Sequence, residues 1–112
     1  MDFIFYGSRS KDGVGAGCVL VDPKGTKTMI ACRIVLECTI NVAEYEALVQ
    51  GFMKAIDMGA KVIECIGYSH IIVKQVTNQI HCLSPHLINY QKLIRALTHS
   101  FSAFNIKSVP RS

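Results

Sequence analysis

The sequence predicts an α/β fold of mixed α+β character: a five-stranded mixed sheet in which three antiparallel strands are followed by alternating helices and strands. Three observations predict it. The opening third is made of short apolar runs separated by glycines and by turn residues. The middle switches to apolar residues at three- and four-residue steps. From there to the end, strand-like and helix-like segments alternate. An antiparallel layer followed by alternating elements implies a sheet with helices packed on it, joined by a right-handed crossover.

Phe3 to Tyr6 is a short strand ending at Gly7-Ser8. Gly13, Gly15 and Gly17 follow, and Cys18-Val19-Leu20-Val21 reads as the second strand. Asp22-Pro23-Lys24-Gly25 is a turn with proline at its second place and glycine at its fourth. Thr28 to Glu37, apolar and β-branched, returns as the third strand, which completes a meander. Val42, Tyr45, Leu48, Val49, Phe52, Met53 and Ile56 then mark a helix with one buried stripe. Asn41 can cap its start, and Gly59 stands just past its end. Val62 to Ile66 is the fourth strand, ending at Gly67-Tyr68-Ser69, and Ser69 can cap a short helix that frays near Asn78. Pro85 suits the first turn of a further helix with a stripe through Leu87, Ile88, Leu93, Ile94, Leu97 and Phe101. Phe104 to Val109 alternates as the fifth strand.

The 112 residues suit one domain, residues 1–112, and 50% of them are hydrophobic, enough for a buried core. No apolar run approaches the roughly 20 residues of a membrane span. Phe3-Ile4-Phe5 is too short for a secretory core and Asp2 is wrong for its basic flank, so the expected location is intracellular, in cytoplasm or nucleus. Cys18, Cys32, Cys38, Cys65 and Cys82 are odd in number and widely spaced, which reads as reduced thiols in strands. A metal set of Cys65, His81, Cys82 and His86 can be written down, but its spacing matches no closed zinc pattern. The net charge of +4 is uneven: all eight acids lie at or before Glu64, and only Lys74, Lys92, Arg95, Lys107 and Arg111 follow. A purely basic second half suits a phosphate-rich or acidic partner, or is simply a solvated face.

The order of elements resembles the type 1 ribonuclease H fold, and four segments narrow the likeness. FIFYGSRSKDGVGAGCVLVDPKG is similar to the opening of the ribonuclease H domains of plant long-terminal-repeat retroelements, where a strand ends in Asp-Gly-Ser. ECTINVAEYEALVQGFMKAIDMGAK resembles their first helix, IGYSHIIVKQV their Gly-Asp-Ser segment, and INYQKLIRALTHSFSAFNIKSVPRS their last helix and strand. Such domains cleave the RNA strand of RNA–DNA hybrids with two divalent ions held by clustered carboxylates. The resemblance puts Asp where this chain has Tyr6, Glu where it has Glu44, and Asp where it has Tyr68. The fourth Asp belongs to a last helix beyond the final strand, so the fold is expected to lack that helix. A phenol is neutral at pH 7 and cannot replace a carboxylate as a ligand for a hard ion.

By this reading the family's magnesium is not expected to bind, no cofactor is expected, and the chain is a pseudoenzyme. Glu44 then has a structural role, three residues after Asn41 in a capping box. Gly7, Ser8, Asn41, Ser69 and His70 make a candidate binding surface, although Gly7 also suits a turn and Asn41 and Ser69 suit caps. Tyr6 and Tyr68 can plug the former site, anchor a protein partner or stack on bases. A sheet face left uncovered by the missing helix would be apolar, which suits self-association or a protein partner. The leading expectation is an inactive, retroelement-derived interaction module. Its alternatives are a hybrid-binding protein that grips phosphates and, last, a nuclease with an improvised site.

Overall fold

The computed structural model describes residues 1–10, 13–34, 40–68, 70–77 and 85–109. Eight elements follow in order: β1 (Asp2–Ser10), β2 (Gly13–Val21), β3 (Lys27–Ile34), α1 (Ile40–Asp57), β4 (Val62–Gly67), α2 (His70–Val76), α3 (Pro85–Thr98) and β5 (Ala103–Ser108). The predicted order holds. The strands form one sheet in the order β3-β2-β1-β4-β5. β1, β2 and β3 are antiparallel neighbours, whereas β4 runs parallel to β1 and β5 parallel to β4.

Each predicted element is present, with shifted bounds. β1 and β2 are longer than their apolar runs, because the ladder continues through Tyr6↔Gly17, Ser8↔Gly15 and Ser10↔Gly13. Backbone hydrogen bonds need no side chain, so the alternating glycines are strand rather than loop. The Asp22–Gly25 turn is built as its residues imply. Asp22 Oδ1 accepts from the amides of Lys24 at 2.9 Å and Thr26 at 2.8 Å. Gly25 takes φ of 87°, a left-handed conformation that costs glycine little. Gly59 ends α1 in the same way, with φ of 79°.

The core lies between the sheet and the helices. Phe3, Phe5, Cys18, Leu20, Ile63, Cys65 and Ile106 point inward from the strands, onto Tyr45, Leu48, Phe52, Ile72 and Ile94 of the helices. α1 packs along β1 and β2, α3 lies against α1, and α2 reaches β5 and α3. Strand residues alternate between faces. The described helices therefore cover the Phe3–Phe5 face and leave the opposite one open. Burial pushes the Cys65 thiol well above its ordinary value of 9.0, and Cys18 is likewise buried in β2.

Three expectations need correction. Periodicity puts Met53 and Leu93 on the buried stripes, yet both are exposed. The stripe of α3 passes through Leu87, Gln91 and Ile94, which leaves Leu93 pointing outward, and Met53 follows Phe52 off the buried side of α1. Asn41 lies inside the first turn of α1, which starts at Ile40, rather than ahead of it. Glu44 is 3% exposed, so its carboxylate is buried within α1. Ser69, Cys38, His81 and Cys82 lie outside the described residues, as do the side chains of Cys32 and His86, so of the proposed metal set only Cys65 is placed.

Candidate functional site at the carboxyl ends of the central strands

The connections from β1 and β4 leave in opposite directions, β1 toward β2 and β4 toward β5. In open sheets such a switch point opens a crevice at the carboxyl ends of the two parallel strands, where ligands bind. The last paired residues there are Phe5 and Gly67. Tyr6 and Tyr68 follow directly, so two residues 62 positions apart in sequence become neighbours across the crevice.

Packing explains the local sequence. A side chain on Gly67 would collide with the ring of Phe5, which lies across it. Phe5 therefore fills the core beneath the crevice, and Gly67 is the residue that lets it do so. On the opposite face the Tyr6 ring leans over β2. A Cβ at Gly17 would stand 2.5 Å from its Cζ and its hydroxyl oxygen. Tyr6 is half-buried by this contact, whereas Tyr68 is 37% exposed. The Tyr6 phenol thus stands on the open face of the sheet, and Tyr68 follows β4 beside the crevice. Gly7 is buried behind them.

Glu44 approaches from the helical side. It lies in the first half of α1, which packs on β1 and β2. Around it a set of polar contacts that the sequence reading missed fastens α1 to α2 and α3. Tyr45 donates its hydroxyl to Gln75 Oε1 at 2.5 Å, and Gln91 Nε2 donates to the Gln75 carbonyl. Tyr90 donates to Glu46 Oε2 at 2.9 Å, and Gln50 to Glu46 Oε1 at 3.0 Å. The Tyr45 and Tyr90 rings stack, with centroids 5.9 Å apart. The available signal was glutamine at an apolar helical spacing, at Gln75 beside Val76 and at Gln91 between Leu87 and Ile94.

Of the predicted surface, Gly7 and Ser8 are in β1, Asn41 opens α1 and His70 opens α2; the side chains of Ser8, Asn41 and His70 are not described. Among the described residues no group of three or more His, Cys, Asp or Glu side chains is placed to hold a metal ion. Of the donors that the resemblance implies, Glu44 is the carboxylate present, and two phenols occupy the other described places. These residues do not fit a two-ion centre.

The fold is that of an α/β domain with a crevice at the carboxyl ends of β1 and β4. The chain matches the family described as Reverse transcriptase-like over residues 5–112, and it belongs to that ribonuclease H-like family. A curated relative, ribonuclease HI of Halobacterium salinarum, is 33% identical over 106 residues, covering 94% of this chain and 53% of the relative. A bifunctional protein of Mycobacterium tuberculosis is 28% identical over 108 residues, with 95% of this chain and 30% of that protein covered. The chain thus spans about half the length of the first relative and less of the second. Among solved structures, RNase H1 of Halobacterium salinarum has a TM-score of 0.88 at 31% identity, covering 98% of this chain and 85% of that one. The LC11 RNase H1 in complex with an RNA/DNA hybrid has a TM-score of 0.85 at 26% identity, with the same two coverages, 98% and 85%.

These findings correct the expectation of a non-enzyme. Relatives alike over nearly the whole chain are named as ribonuclease H enzymes, which points to an enzyme. That expectation rests on Tyr6, Glu44 and Tyr68 alone, whereas the likeness covers 98% of the chain.

Proposed function

We propose that this domain acts on RNA–DNA hybrids, recognising the hybrid at the crevice formed by the carboxyl ends of β1 and β4. The observation that carries the reading is the likeness to the hybrid-bound LC11 enzyme across 98% of this chain. The switch point supports it independently, because it opens a ligand crevice by topology alone. Gly7 brings backbone to the crevice without a side chain, and the Tyr45–Gln75–Gln91 contacts tie α1, which carries Glu44, to α2 and α3. Gly7, Ser8, Asn41, Ser69 and His70 are the proposed hybrid-facing positions. The basic second half supplies charge for phosphates. The four quoted segments favour a retroelement origin of the plant long-terminal-repeat type.

Fluorescence anisotropy with a labelled hybrid and with DNA duplex of the same sequence tests the reading. Tighter binding of the hybrid is expected, weakening as salt rises. Absence of hybrid binding at low salt refutes it. RNA-strand scission, followed in the same samples with magnesium or manganese, reports the activity to which the relatives' names point.

A second reading, docking of a protein partner or of another copy, is favoured by the exposure of Met29, Val62 and Tyr68 on the open sheet face. A concentration-dependent dimer in sedimentation is its expected result.

A further inference from the structure

The open face is ordered in rows by the strand register. At one end lie Lys27, Val21, Asp2, Glu64 and Asn105. The next row is Met29, Val19, Ile4, Ile66 and Lys107. The third holds Ala31, Gly17 and Tyr6 in register, and Tyr68 directly follows Gly67, the last β4 residue paired with β1. Among the described residues the acids of this face, Asp2 and Glu64, lie in the row farthest from the tyrosines. At the tyrosine end the described side chains are aromatic, small or apolar, with one cation close by. Lys107 is exposed and in register with Ile66, two residues before Tyr68. Strand spacing puts its Cα about 8 Å from that of Tyr68.

We infer that Tyr6 and Tyr68 form a stacking platform for single-stranded nucleic acid, with Lys107 contacting its backbone phosphates. The inference rests on the hybrid reading and deepens it: the substrate class becomes a hybrid that carries a single-stranded extension. Aromatic rings beside a cation are the minimal apparatus for sequence-tolerant binding of single strands, because every base has a π-face and every linkage a charge. Gly17 is what allows the Tyr6 ring to lean across β2. The other two tyrosines, Tyr45 and Tyr90, are stacked on each other under the sheet and are not on this face. Charge selects this occupant over an apolar protein surface. The aromatic row is flanked by Lys107, the open-face acids Asp2 and Glu64 lie at the far end of the strands, and Glu44 is buried on the helical side.

Anisotropy with a blunt hybrid, the same hybrid with an oligothymidine overhang, and oligothymidine alone tests the inference. The overhang is expected to tighten binding about tenfold, with Tyr68→Ala abolishing that gain and Tyr68→Phe keeping it. Lys107→Gln is expected to reduce the slope of log affinity against log salt by about 0.7 for the single strand. The chain has no Trp, so stacking is also read directly as quenching of tyrosine emission, lost in Tyr68→Ala. An overhang without effect on a hybrid that still binds overturns the platform and leaves the hybrid reading standing. Binding of oligothymidine with no binding of blunt hybrid supports the platform and overturns the hybrid reading. Failure to bind any of the three, with dimers in sedimentation, overturns the platform in favour of a protein interface.

Discussion

Gly51→Ala sets two physical effects of opposite sign against each other. Gly51 is buried in the middle of α1, and helix propensity alone predicts that alanine there stabilises by about 1 kcal/mol. The structure predicts the reverse. A Cβ at Gly51 would overlap the ring of Phe3, which is fully buried. That ring cannot swing away, because Phe5 lies at 6.0 Å and Phe52 at 5.4 Å between centroids. Overpacking a tight core costs about 1–3 kcal/mol, and an overlap of backbone-borne carbon with a wedged ring belongs at the upper end. Subtracting the propensity gain leaves a net loss of about 2 kcal/mol. Urea unfolding followed by circular dichroism measures it as a lower midpoint at unchanged slope. Phe3→Leu in the Gly51→Ala background should recover part of the loss, a coupling that a double-mutant cycle isolates. A Gly51→Ala protein as stable as the parent, or more so, refutes the packing of α1 on β1 described above.

Other outcomes follow from the same geometry. Tyr45→Phe leaves the buried Gln75 Oε1 without its 2.5 Å donor and should cost about 1–3 kcal/mol, read by the same urea titration. Tyr6→Asp with Tyr68→Asp places two carboxylates in the crevice and should raise magnesium- or manganese-dependent scission of hybrid above the parent's rate; an unchanged rate counts against the crevice as the reaction site. Because the Cys65 thiol is raised above 9.0, the native state holds a proton that the unfolded chain releases. Stability from this group is therefore fully present below about pH 9 and declines as pH rises beyond it. Urea midpoints across that window should fall more steeply for the parent than for Cys65→Ala. Gly25→Ala forces a side chain onto φ of 87° and should cost about 1 kcal/mol, measured by thermal unfolding.

How much of this was legible beforehand differs between fold and site. The order of elements was readable because period is local. Val42 to Ile56 repeats as a helix and Ile63 and Cys65 alternate as a strand whatever surrounds them. Gly25 and Gly59 marked a turn and a helix end for the same reason. Strand length was not readable at Gly13, Gly15 and Gly17, where pairing runs through the backbone and leaves no side-chain trace. Nor was the outward direction of Met53 and Leu93, since a stripe about one residue wide is fixed by what it packs on. Gln75 and Gln91 sit at apolar helical spacing, but only three helices meeting makes them a buried contact.

By itself the sequence determined the kinds of elements, their order and the family framework, because each follows from spacing along the chain. It also named Tyr6, Glu44 and Tyr68 as the residues to examine. Tertiary structure alone decided that Tyr6 and Tyr68 stand side by side, that Gly17 makes room for one ring and Gly67 for Phe5, and that Lys107 shares their open face. Those relations depend on the register between β1, β2, β4 and β5, which is set by contacts between residues far apart in the chain.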